Sequence, residues 1–228
     1  MIERIFSKVF HNLRKNAKGE AKLDEVEWEE LNDKATTLYQ QGQFSKAIHA
    51  SKEALKAAEN TFGSDHANVA TTMNNLALLY NEQGKYAEAE PLYKQALEIG
   101  KKAFGPDHPS VATFLNNLAE LYHIQGKYAE AVPLHKRSLE ILEKASGPDH
   151  PDVAISLNSL AILLVDQGKY AEVESLYERA LEIREKMLGP DHPDVAVVLE
   201  NMAEFYIEIG KKEEAERLTE RAKKIRLK

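Results

Sequence analysis

Aspartate and histidine stand side by side at Asp107–His108, Asp149–His150 and Asp191–His192, each time within Gly-Pro-Asp-His-Pro. A weaker copy, Gly-Ser-Asp-His-Ala, begins at Gly63. A carboxylate beside an imidazole supplies two metal-ligand types and the parts of a general acid–base pair. The spacing argues against both uses. Successive copies lie 42 residues apart. If each marks the joint of a helical repeat, neighbouring pairs stand about 10 Å apart, roughly one helix diameter. Metal–ligand bonds are about 2 Å long, so two joints cannot share an ion, and one Asp-His pair holds too few ligands. His11, His49, His123 and His135 show no ligand spacing, and the sequence contains no His-Glu-x-x-His, Gly-x-Ser-x-Gly or phosphate loop. No catalytic residue, metal site or cofactor is expected, and the chain reads as a non-enzyme. The joint instead suits a helix boundary. Gly105 can end one helix, Pro106 blocks its continuation, and Pro109 fits the first turn of the next. Asp107 is expected to offer its carboxylate to that helix's unpaired amides, with His108 capping or packing beneath.

Composition narrows the function classes. The 228 residues carry 30 Lys and Arg against 37 Asp and Glu, a formal charge of −7. That balance disfavours nucleic acid, whose phosphates need clustered cations. There is no cysteine, hence no disulfide framework, thiolate ligand or thiol nucleophile. No stretch is apolar for long enough to span a bilayer, and charge interrupts the first residues too often for a secretory signal. A soluble, cytoplasmic protein is expected.

The elements around the joints repeat. Gly42, Gly84, Gly126, Gly168 and Gly210 mark five copies without insertions. In the third, Val111, Leu115, Leu118, Ala119 and Tyr122 form one helical face, Gly126 breaks it, and Tyr128, Ala131, His135, Ser138, Leu139 and Leu142 begin another. Two helices of about 16 residues, each about 24 Å long, cannot bury both stripes alone, whereas stacked neighbours can. Small residues recur where the axes must approach closely: Ala35, Ala77, Ala119, Ala161 and Ala203 in the first helices, and Ala47, Ala89, Ala131, Val173 and Ala215 in the second.

In the second copy Leu76, Ala77, Tyr80, Gly84, Tyr86, Ala89, Tyr93, Ala96 and Leu97 follow a pattern that resembles the tetratricopeptide repeat. The period of 42 and the Gly-Pro-Asp-His-Pro joint are similar to the long repeats of kinesin light chains and their bacterial relatives. The resemblance covers about residues 25–228. It implies an all-α, right-handed superhelical solenoid of about five antiparallel helix pairs, with repeats at about 25–62, 63–104, 105–146, 147–188 and 189–228. The first copy departs from the pattern at Leu38 and Ser51 and the last at Thr219; both read as capping ends. Pro91 and Pro133, soon after a second helix begins, suggest a first-turn position or a slight bend.

The same resemblance places the first helices on a concave side, where a peptide would lie. Asn32, Asn74, Asn116 and Asn158 then form a ladder, one rung per repeat, of the kind that holds cargo peptides in kinesin light chains. An amide both donates and accepts and suits an extended backbone. Thr71, Asn75, Thr113, Asn117 and Asn201 lie beside it. Leu78, Ile124 and Ile162 are expected to receive apolar side chains, and Glu82, Glu120 and Asp166 to favour a basic ligand. A second reading of the asparagines is that they join neighbouring repeats and set their register. The Lys and Arg that clamp a terminal carboxylate in some tetratricopeptide domains are missing; Glu29, Thr71, Thr113 and asparagines stand there.

Residues 1–20 form a separate segment, predicted as an amphipathic helix. Ile2, Ile5, Phe6, Val9, Phe10 and Leu13 share one face, and Arg4, Lys8, Arg14, Lys15 and Lys18 make the rest basic. It can cover the first repeat, pair with a second chain, lie on an anionic membrane, or stay unfolded when free. A polar connector is expected to lead to a first helix near Trp28. The favoured function is a non-catalytic scaffold that holds an extended or short helical segment of a protein partner bearing apolar and basic residues. The alternative is a self-assembly module joined through residues 1–20 or the solenoid ends.

Overall fold

The computed structural model describes residues 23–227, all of them in helices and short connections. The segment 1–20 lies outside them. Among the described residues ten α-helices follow one another: α1 Leu23–Gln40, α2 Phe44–Phe62, α3 Ala67–Glu82, α4 Tyr86–Phe104, α5 Pro109–Ile124, α6 Tyr128–Ser146, α7 Pro151–Asp166, α8 Val173–Leu188, α9 Pro193–Glu208 and α10 Lys212–Arg226. Among the described residues there is no strand. The chain divides into two compact units, Met1–Leu121 and Tyr122–Lys228, with the boundary inside α5.

In the first unit α1 packs on α2, α2 on α3, and α3 on α4. Helix α1 begins at Leu23, so the stretch expected to be a connector is already helical by Trp28. Trp28 explains the early start. Its ring is buried with Ala54, Ala58, Val69, Met73 and Ala96, it meets Phe62 edge-on at 5.5 Å, and its Nε1 donates to Thr72 Oγ1 at 3.0 Å. Burying so large a ring outweighs the poor intrinsic helicity of a polar stretch. In the second unit α7 packs on α6 and α8, and α9 on α8 and α10. Val195, Ala196, Leu199, Ala222 and Ile225 close its last layer. The recurring alanines are fully or almost fully buried, as close-packed helix axes require.

The turn within a pair is the same in each copy. Gly84 has φ +70, and the amides of Gly84 and Lys85 donate back to Asn81 O and Tyr80 O at 2.9 Å. This closure needs a left-handed residue and so favours glycine. The joint between pairs is built differently. Gly105 has φ 93 and ψ 153, a glycine-only extended conformation in place of the left-handed helical one. The cap is histidine. Nδ1 of His108, His150 and His192 accepts from the backbone N of Ser110, Asp152 and Asp194 at 3.1–3.2 Å. His66 does the same with Asn68 at 3.1 Å. Of the two roles expected for His108 it takes the cap, because Pro109 is the first helical residue and the capping position falls immediately before it. Phe62 and Phe104 stack on the capping rings of His66 and His108 at 4.8 and 4.7 Å. Pro91 and Pro133 lie at the sixth residue of α4 and α6 and the helices continue through them. In the fourth copy the second helix is instead preceded by a 3₁₀ turn, Tyr170–Glu172.

Candidate functional site

The residues singled out above lie on α1, α3, α5, α7 and α9, the first helices of the pairs. Their environments differ sharply. Asn32, Thr71, Asn74, Asn75, Leu78, Asn117 and Asn158 are buried. Thr113, Asn116, Ile162 and Asn201 are half-buried, and Glu82, Glu120, Ile124 and Asp166 are exposed.

Two of the ladder asparagines are joined to the next repeat. In the first unit Asn117 Nδ2 donates to Asn74 Oδ1 at 2.9 Å. In the second, Asn201 Nδ2 donates to Asn158 Oδ1 at 3.0 Å. Each bond links residues 43 apart, one repeat plus one residue, so the asparagine pair Asn-Asn serves as a donor–acceptor couple between neighbours. Asn32 departs from the series: its Nδ2 donates to Trp28 O at 2.8 Å, within its own helix. By the same spacing its partner would be Asn75. Asn75 Nδ2 is buried without a hydrogen-bond partner. Thr71 and Thr113 donate to carbonyls one turn back, Ala67 O at 3.1 Å and Pro109 O at 3.4 Å.

The exposed members are acidic. Helices α3, α5, α7 and α9 contain no Lys or Arg, whereas α4, α6, α8 and α10 each contain several. Glu82, Glu120, Asp166, Glu204 and Glu208 are all exposed on first helices. Partial burial pushes the Glu82 carboxyl above its ordinary value. Asp166 faces His123 Nε2 from the neighbouring first helix, and Glu208 accepts from Tyr170 Oη at 2.6 Å.

Two functional candidates escaped the sequence reading. Tyr93 on α4 is wholly buried, and its hydroxyl has no hydrogen-bond partner. Burial drives its ionisation far upward, and the charges of Glu82 and Glu120 raise it further. Tyr177 on α8 repeats the arrangement: burial, then Glu204 and Asp166, push it upward. Glu82 and Glu120 are 38 residues apart, as are Asp166 and Glu204, which is one repeat less one helical turn. The signal was available in the residue types. The positions of Tyr93 and Tyr177 hold Ser51, His135 and Thr219 in the other copies, a hydrogen-bonding group in every repeat, and four of the five are buried.

Among the described residues no helix is long and apolar enough to cross a membrane, and no three metal-ligating side chains come together.

The tetratricopeptide repeat family profile matches residues 30–102, 72–143, 110–186 and 166–228. No curated protein matches the chain. Among solved structures, BtubC (BKLC) from P. vanneervenii is similar with a TM-score of 0.80 at 26% identity, over 99% of this chain and 89% of that one. A kinesin light chain-like protein of Podosopora anserina, with nearly identical TPR-like repeats, follows with 0.75 at 27%, over 86% and 92%. RapI shares the fold, at 0.70 and 15% identity, over 96% of this chain and 59% of that one. The helix pairs, the alanine contacts, the glycine turns and the matched profile agree: this chain is an all-α solenoid and belongs to the tetratricopeptide repeat family.

Proposed function

We propose that the chain is a non-catalytic scaffold that binds a basic, partly apolar protein segment on its first helices. The observation that carries this reading is the segregation of charge: four successive first helices bear carboxylates and no Lys or Arg. Repulsion among like charges within a unit destabilises a free protein slightly, and a cationic partner relieves it. Membership of a family whose folds typically mediate protein–protein contacts is consistent with it. The contacts divide by burial. Glu82, Glu120, Ile124 and Asp166 meet the partner's side chains, with Thr113, Asn116, Ile162 and Asn201 at the edges. Asn74, Asn117 and Asn158 act behind them by holding the helices in register, and Asn32, Thr71, Asn75 and Leu78 form the floor. Because these groups sit on packed helices, little reorganisation is needed, which lowers the cost of binding.

The test is a selection of randomised dodecapeptides displayed on phage against the full chain. Enrichment of peptides rich in Lys or Arg with interspersed apolar residues, weakened by added salt, is expected. Failure to enrich any peptide overturns the reading. Mass that rises with protein concentration in light scattering, and falls when residues 1–20 are removed, would then point to self-assembly.

A further inference from the structure

We propose that one face of α1 is a docking surface, and that its occupant is the basic segment 2–18 of the same chain, held there as the second helix of a half-repeat. The surface shows in a comparison of α1 with α3, the equivalent helix of the next copy. On α3, Val69 and Met73 join Ala54 and Ala58 of the preceding helix α2 in one cluster, and Thr72 and Leu76 are buried as well. The positions 42 residues earlier on α1 hold Glu27, Leu31, Glu30 and Lys34. Glu27, Glu30 and Lys34 are exposed and Leu31 is half-buried. The face that a preceding second helix covers on α3 is therefore open on α1, and it is acidic around one leucine.

Register, joint and charge all point to the segment. Helix α2 begins at Phe44, and 42 residues earlier stands Ile2. Ile5, Val9 and Leu13 then take the places of Ala47, Ser51 and Leu55. Ala47 and Ser51 are buried, and Leu55 packs against the cluster that holds Met73. The joints 63–66 and 105–108 each put four residues, glycine first, between a second helix and the next first helix. Residues 19–22 repeat this before Leu23: Gly19 opens the stretch, as a helix end favours. The segment 1–20 carries five Lys and Arg against two Glu, whereas α1 carries six carboxylates against one lysine, so docking brings opposite charges together. The tether selects the chain's own segment over a second copy. Four residues reach about 14 Å, enough to span the ~8–10 Å between packed helix axes. So short a link holds the segment at an effective concentration on the order of millimolar.

The chain contains no cysteine, so an introduced pair reports on this contact alone. Leu13→Cys/Leu31→Cys reproduces the pairing of Leu55 with the cluster that holds Met73. Arg14→Cys/Leu31→Cys is the control, at the same height on the segment but at the place of Lys56, which is exposed on α2. Only cysteines whose Cα atoms lie close can be bridged. Mild oxidation of the full chain is therefore expected to close the first pair at least about tenfold faster than the control, in a product of single-chain mass. Equal rates overturn the proposal. A first-pair product of double mass also overturns it, because the segment would then dock on a second copy. Amide hydrogen exchange supplies a second reading on the unmodified protein, independent of how the cysteine variants fold. Amides of residues 5–16 are expected to exchange at least about tenfold more slowly than those of an unstructured chain. In Val9→Asp/Leu13→Asp that protection should disappear, and the amides of α1 should exchange faster. Unprotected amides in 5–16, or α1 amides indifferent to the substitutions, would show that the segment does not cover this face.

Discussion

Asn117→Ala tests whether the asparagine ladder joins repeats. The bond from Asn117 Nδ2 to Asn74 Oδ1 is 2.9 Å long. Asn74 is 1% exposed and Asn117 7%, so water cannot replace the lost donor in full. Truncation at 117 therefore leaves a buried amide oxygen without this donor, a cost of about 1–3 kcal/mol. Taking about 2 kcal/mol, a chain of this length should lose about 4–8 °C in thermal midpoint. The assay is urea unfolding followed by helical circular dichroism, applied to wild type, Asn74→Ala, Asn117→Ala and the double variant. Once one partner is gone the other has less to lose, so the double variant should be more stable than the sum of the singles predicts, by about 1 kcal/mol. Additivity within about 0.3 kcal/mol, or an unmoved midpoint for Asn117→Ala, would refute the claim that the bond holds neighbouring repeats.

Other expectations are as specific. A Cβ at Gly100 would stand 2.6 Å from Phe114 Cε2. Phe114 is 2% exposed, so its ring has nowhere to go and Gly100→Ala should cost about 1–3 kcal/mol of overpacking, read from the urea midpoint. That result would run against the usual helix gain of alanine over glycine. Gly84→Ala places a side chain on a φ of +70 and should cost about 1 kcal/mol, although nothing within 4 Å obstructs it. Arg226 donates twice to Glu200, from Nε at 2.9 Å and Nη2 at 2.7 Å, and these bonds hold the Glu200 carboxyl below its ordinary range. A depressed carboxyl contributes stability above its unfolded pKa and loses it as pH falls through the folded value. Both groups are substantially exposed, so the contribution is under about 1 kcal/mol. Carboxyl NMR of Arg226→Ala should show Glu200 titrating at higher pH than in wild type, with stability falling less between neutral and acid pH.

Much of the architecture was legible in the residues because repetition multiplies a weak local signal. A single Gly-Lys-Tyr-Ala-Glu could be many things, but three in register, at Gly84, Gly126 and Gly168, each followed by a small residue and Leu at helical spacing, specify stacked helix pairs. The glycine turns and proline starts were readable for the same reason: each needs a particular φ or a missing N–H, a property of one residue. The joint was half legible. Gly105 and Pro109 bound it, but which of the two roles open to His108 it takes depends on which residue immediately precedes the first helical φ/ψ.

What the residues alone could not say was the direction of the side chains on the first helices. Asn74 and Asn116 are equivalent in the repeat, yet one is buried and the other half-buried, because burial depends on what the next helix brings against them. Asn75, Asn117 and Asn201 are likewise equivalent, and the latter two donate across a repeat while Asn75 Nδ2 has no partner. The difference is that Asn32 turns to the carbonyl of Trp28. The orphaned hydroxyl of Tyr93 also emerges only in three dimensions, since the two carboxylates beside it lie 38 residues apart in the chain. Helix identity and pairing are local and periodic, so one-dimensional sequence carries them. Which polar atom ends up paired is set by packing between repeats, where each partner is contributed by a different turn of a different helix.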